Sequence, residues 1–161
     1  MTVPEYNRCV ERFSDNVYRF ALKSLRNEEL AKDIVQESFL KLWENRGAVI
    51  GGKEKSYLFT IAYRLIIDSV RHEKRYALEE LMPNGVQHGE KAAHDTGEML
   101  LRFLERLPPV QKNVVMLRDY EGYSYREIAE MTSLTEAQVK VYIFRARVTL
   151  KKNIGDINRI L

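Results

Sequence analysis

The residues best suited to chemistry in this chain are five basic side chains, Lys140, Arg145, Arg147, Lys151 and Lys152, with no acid between the first and the last. Such a stretch binds phosphate by charge and hydrogen bonding but makes and breaks no bonds. The groups that could do covalent or metal chemistry do not converge. Cys9 is the only cysteine, which excludes an intrachain disulfide, and its spacing with Val10, Phe13 and Val17 marks it as a core residue. His72, His88 and His94 fall outside any metal-ligand spacing with cysteines or with carboxylates on one helix face. No nucleophile, base or ligand set assembles, so no catalytic residue, metal site or cofactor is expected, and the chain does not read as an enzyme.

The net charge of +3 hides an uneven distribution. Residues 1–75 carry 14 basic and 11 acidic side chains, residues 76–109 carry 3 and 6, and residues 110–161 carry 9 and 6. The ends are mildly basic and the middle is acidic. No apolar run approaches the roughly 20 residues of a bilayer crossing, and the N-terminus lacks the layout of a secretory signal, so a soluble cytoplasmic protein is expected.

The elements that must carry these side chains are helical. Tyr6, Cys9, Val10, Phe13, Val17, Phe20 and Ala21 recur at three- and four-residue spacing and predict an amphipathic helix. Asn27, followed by Glu28 and Glu29, reads as the cap of a second helix with Ala31, Ile34, Val35, Ser38 and Leu42 inward, ending near Arg46 and Gly47. After the loop GAVIGGKEK, Ser56 reads as the cap of a third helix with Leu58, Ile61, Ala62, Leu65 and Ser69 inward, running to about Arg75. Between Tyr76 and Gly97 the periodicity fades among proline, glycine and polar residues, which reads as a linker. Helical pattern resumes at Met99–Leu107, breaks at Pro108 and Pro109, and continues over Val110–Tyr120 before Gly122. No strand-like alternation appears. The expected fold class is all-α, with two small helical domains over 1–75 and 98–161 joined by a flexible linker over 76–97.

The segment YSYREIAEMTSLTEAQVKVYIFRARVTLKK has the layout of a helix-turn-helix. Ser124 caps a short helix holding Ile128 and the small Ala129, residues Thr132 to Leu134 turn the chain, and Thr135 caps a longer helix. On that helix Val139, Ile143, Ala146 and Leu150 form the buried stripe, flanked by Lys140, Arg147 and Lys151. Ala137, Val141 and Phe144 lie roughly opposite, with Arg145 alongside. A large apolar residue there needs a thymine methyl, a sugar face or a protein partner to cover it.

These residues resemble a known family. LERLPPVQKNVVMLRDYEGYSYREIAE followed by VYIFRARVTLKK is similar to region 4 of the extracytoplasmic-function (ECF) sigma factors, and AKDIVQESFLKLWEN followed by SYLFTIAYRLIIDSVRHEKR is similar to their region 2. The resemblance spans nearly the whole chain. It implies a region 2-like bundle of three to four helices and a region 4-like helix-turn-helix domain, in a factor that binds core RNA polymerase and directs initiation at promoter DNA. Asp33, Gln36, Glu37, Leu40, Lys41 and Glu44 would dock on the clamp helices of the polymerase. For the -10 element, Lys53, Lys55, Arg71, Lys74 and Arg75 would meet phosphates, and Tyr57, Phe59 and Tyr63 would offer stacking rings, Tyr63 more so than Phe59. Arg64 would act in the same element, where the family commonly has asparagine; the family commonly has tryptophan at Tyr57 and glycine at Ser133. For the -35 element the resemblance implies Ser124, Tyr125, Arg126, Thr135, Glu136, Ala137, Lys140, Val141, Phe144, Arg145 and Arg147. It also implies an anti-sigma factor as a partner. The competing reading is a stand-alone helix-turn-helix regulator whose N-terminal bundle dimerises or senses a ligand.

Overall fold

The computed structural model describes the backbone of residues 1–80 and 102–160, and the side chains of residues 1–75 and 102–152. Three long helices come first: α1 (Val3–Leu25), α2 (Glu28–Glu44) and α3 (Glu54–Glu80), with a 3-10 turn at Arg46–Ala48. After helical residues 102–105 come α4 (Pro109–Asp119), α5 (Tyr125–Thr132) and α6 (Glu136–Ile160). Every described element is helical. The expected linker begins inside α3, which continues to Glu80, and its remaining residues, 81–97, lie outside the described residues.

Local chemistry sets most helix ends. Thr2 and Glu5 form a reciprocal capping box at α1, with Thr2 N donating to Glu5 Oε2 (2.7 Å) and Glu5 N to Thr2 Oγ1 (3.3 Å). Arg26 ends α1 in the left-handed region (φ 53°), and Asn27 Oδ1 accepts from Leu30 N at 3.1 Å, opening α2 only two residues later. Helix α3 starts at Glu54 rather than being capped by Ser56. Gly52 turns the chain at φ +85° and donates its N–H to Glu54 Oε1 (3.1 Å), while Tyr57 N already donates to Lys53 O (3.0 Å). Ser56 therefore sits inside the first turn.

Val17, Phe20, Ala21, Ala31, Ile34, Leu42, Leu58, Ala62 and Ile66 fill the space between α1, α2 and α3. Phe39 joins this core beside Ser38, which is buried as the periodicity of α2 predicts; the Tyr6 hydroxyl donates to Phe39 O (3.1 Å), and Tyr6 stacks edge-on against Trp43. Val35, expected inward, is half-buried. In the second group, six consecutive residues of α4, Lys112 to Leu117, are buried, the last four of them apolar. One face of a surface helix cannot hide four residues in a row. Helix α4 is enclosed because it packs on α5 and α6 and also on α1 and α3. The two groups of helices thus meet, and their apolar cores are continuous.

Candidate polymerase and nucleic-acid interfaces

The outer face of α2 follows from its inner one. With Ala31, Ile34, Ser38 and Leu42 buried, the positions between them turn outward: Asp33, Gln36, Glu37, Leu40 and Glu44 are exposed and Lys41 is half-buried. Leu40 is 55% exposed amid charged neighbours. A leucine left in water on a charged helix face suits a protein partner that can remove it from water.

Along α3, Arg64, Arg71 and Arg75 follow one another at steps of seven and four and are exposed, as are Lys74 and, in the preceding loop, Lys53. These side chains form a mainly cationic edge of the bundle, interrupted by the exposed Asp68 between Arg64 and Arg71. The rings behave differently from expectation. Tyr63 is 6% exposed, Phe59 is fully buried and Tyr57 is half-buried against the core. Burial pushes the Tyr63 hydroxyl above its ordinary pKa, opposed by the positive charge of Arg71 and helped slightly by Tyr142 of α6. The physical reason is that α3 is covered twice, by α1 and α2 on one side and by α4 and α5 on the other. Lys55 is drawn into the same contact: its Nζ lies 3.5 Å from Glu121 Oε2, 5.6 Å from the Phe59 ring centre and 5.9 Å from that of Tyr123. In this arrangement neither Tyr63 nor Phe59 presents an open stacking face.

The helix-turn-helix forms as its local sequence dictates. Ser124 Oγ accepts from Glu127 N (3.1 Å) and Ser124 N donates to Glu127 Oε1 (3.0 Å), which also holds the Glu127 carboxyl below its ordinary pKa. Ser133 takes the left-handed conformation of the turn (φ 61°, ψ 24°). Thr135 and Gln138 repeat the reciprocal cap, with Gln138 N donating to Thr135 Oγ1 (3.1 Å) and Thr135 N to Gln138 Oε1 (2.9 Å). Two of the residues expected at the -35 element, Ser124 and Thr135, are therefore engaged in placing the helices. Val139, Ile143 and Ala146 of α6 are buried and Leu150 is half-buried, as the spacing predicts.

What α6 leaves outside is a mixed basic and apolar face. Ala137, Lys140, Val141, Phe144 and Arg145 are exposed, and Phe144 reaches 69%. Glu136 pairs with Lys140 (3.7 Å) and Arg126 with Glu130 (3.8 Å), both exposed contacts that a phosphate can replace at little cost. Arg147 is tied to Asp119 (2.9 Å) and so is less free than its position in the basic stretch implied. Tyr125 is half-buried under two cations, with the Arg118 guanidinium 4.6 Å and the Lys140 ammonium 5.8 Å from its ring centre. Val148 extends the exposed apolar line of Val141 and Phe144 by one more turn. The three- and four-residue steps 141, 144 and 148 were the signal that could have found it.

The arrangement agrees with comparisons to known proteins. Residues 9–76 match the family model of sigma-70 region 2, and residues 97–150 match sigma-70, region 4. The chain is 30% identical over 159 residues to the ECF RNA polymerase sigma factor SigM of Bacillus subtilis, covering 94% of each chain. It is 30% identical over 139 residues to the RNA polymerase sigma factor SigV of the same organism, covering 86% of this chain and 84% of that one. Among solved structures, the fold is similar to the sigma factor RpoE in complex with the anti-sigma factor NepR from Bartonella quintana, at a TM-score of 0.79 and 20% identity over 95% of this chain and 98% of that one. It is also similar to CnrH in complex with the cytosolic domain of CnrY, at a TM-score of 0.70 and 20% identity over 96% and 90%. With both regions matched in order, and a relative at that identity along nearly its full length, this chain belongs to the ECF RNA polymerase sigma factors.

Proposed function

We propose that this sigma factor docks on core RNA polymerase through the outer face of α2, engages the -10 element through α3 and the loop before it, and reads the -35 element with α5 and α6. On this reading residues 1–75 and 98–161 are its two working domains, with a connecting segment over 76–97. The observation that carries it is the face of α6 on which Lys140, Val141, Phe144 and Arg145 stand exposed, while Val139, Ile143 and Ala146 lock the opposite face into the core. Cations beside apolar side chains on a rigidly seated helix suit a major groove, where phosphates and thymine methyls lie side by side.

The protein supplies no bond-making chemistry; it selects where the polymerase starts. It acts in the cytoplasm, where polymerase and promoter meet, and among the described residues no helix is long and apolar enough to cross a membrane. The sigma factor RpoE, of similar fold, was solved in complex with the anti-sigma factor NepR, and a partner of that class would regulate this chain. The stand-alone regulator is disfavoured because the N-terminal half, which it would use for dimerisation or sensing, matches sigma-70 region 2. Run-off transcription with core polymerase over genomic fragments tests the function: promoter-specific transcripts should appear only when the protein is added.

A further inference from the structure

We infer that Arg64 and Asp68 together read a guanine in the opened -10 strand, an assignment that rests on α3 being the segment that engages that element.

Asp68 breaks a cationic row. Along the exposed edge of α3, Arg64, Arg71, Lys74 and Arg75 suit phosphates, yet Asp68 stands exposed between the first two. A carboxylate in a line of phosphate contacts repels the strand that its neighbours attract. Neither Arg64 nor Asp68 has a side-chain partner among the described residues. The same four-residue spacing does give an ion pair elsewhere, between Arg126 and Glu130 (3.8 Å). Asp68 is one methylene shorter than a glutamate, and an arginine placed N-terminal to its acid is the weaker order for pairing on a helix. Both groups on α3 are therefore left open: a donor fork and, one turn on, an acceptor.

Guanine is the base that satisfies both. Its N7 and O6 accept from an arginine fork, and its N1–H and N2–H donate to a carboxylate. At this spacing the two side chains leave the helix about 6 Å apart, a separation that the adjoining edges of one purine can bridge. Adenine turns an amino donor toward the arginine and an acceptor toward the carboxylate, and is rejected at both. In a duplex, cytosine occupies the guanine N1–H and one N2–H, so Asp68 finds its donors only after the strands separate. The pair thus favours the open strand, whereas Arg71, Lys74 and Arg75 attract phosphates in either form.

The test incubates the full chain and core polymerase with promoters randomised through the -10 element, and sequences the DNA held in heparin-resistant open complexes. One position should be enriched for guanine roughly tenfold over any other base, and Arg64→Ala and Asp68→Ala should each remove most of that enrichment. Base analogues at that position then tie each side chain to an atom. Hypoxanthine, which lacks the N2 amino group, should lower the open-complex yield of the native chain roughly threefold but leave that of Asp68→Ala unmoved. With 7-deazaguanine, which lacks the N7 acceptor, the same contrast should appear between the native chain and Arg64→Ala. A merely structural role for either residue would not follow single atoms of one base. Equal costs in native and variant chains, or a guanine preference that survives both substitutions, would overturn the inference. Selection of other bases throughout the element would overturn it too and leave the promoter reading standing; a chain that forms no open complexes with core polymerase would overturn both.

Discussion

Lys140 and Arg145 share one exposed face of α6 but stand at different depths along it, Lys140 in the first turns and Arg145 near the middle. Early residues of a reading helix reach base edges, and later basic ones mostly reach phosphate. Lys140→Ala should change the preference among -35 sequences by about 1 to 3 kcal/mol at one position, whereas Arg145→Ala should weaken all sequences alike. Competition binding of polymerase holoenzyme to a set of -35 variants measures both; equal, sequence-independent losses would remove the distinction. Ser133 gives a second test at this scale. Its left-handed backbone costs roughly 1 kcal/mol relative to glycine, so Ser133→Gly should raise thermal stability by a few degrees. The turn was legible in the sequence because caps and turns are decided within a few residues: Ser124, Thr135 and Ser133 each act on neighbours that stand beside them in the chain.

Helices were legible as far as a single period allows. Spacing gives each helix one buried stripe, and this sufficed for α6 and for most of α1 and α2. It found Leu58 and Ala62 of α3, but not the further sides of α3 and α4, which are covered by partners distant in sequence. Tyr63 therefore read as an available ring, and Lys112 carried no sign that its ammonium would be buried against α1. The outer face of α2 is the element-scale test of polymerase docking. Glu37→Lys with Leu40→Asp should abolish binding to core polymerase and leave the circular dichroism spectrum of the helical fold intact, because both side chains point away from the core. Loss of helicity would show that this face belongs to the fold rather than to a partner.

At the scale of the molecule, the sequence shows two regions in order but not how they sit together, since long-range packing leaves no periodic trace. The structure joins them, and neither half carries the charge to hold the chain stretched along DNA unaided. Residues 1–75 and 110–161 each bring a net +3, and at physiological salt such charges act over only about 8 Å. Polymerase, by fixing both regions in place, would supply the spacing that the free chain lacks. The most direct test is promoter binding measured by fluorescence anisotropy across a salt series, for the purified chain with and without core polymerase. The free chain should bind weakly, with steep salt dependence and little preference for promoter over random DNA, and specificity should appear only with the polymerase. Tight, sequence-specific binding by the chain alone at physiological salt would contradict the account.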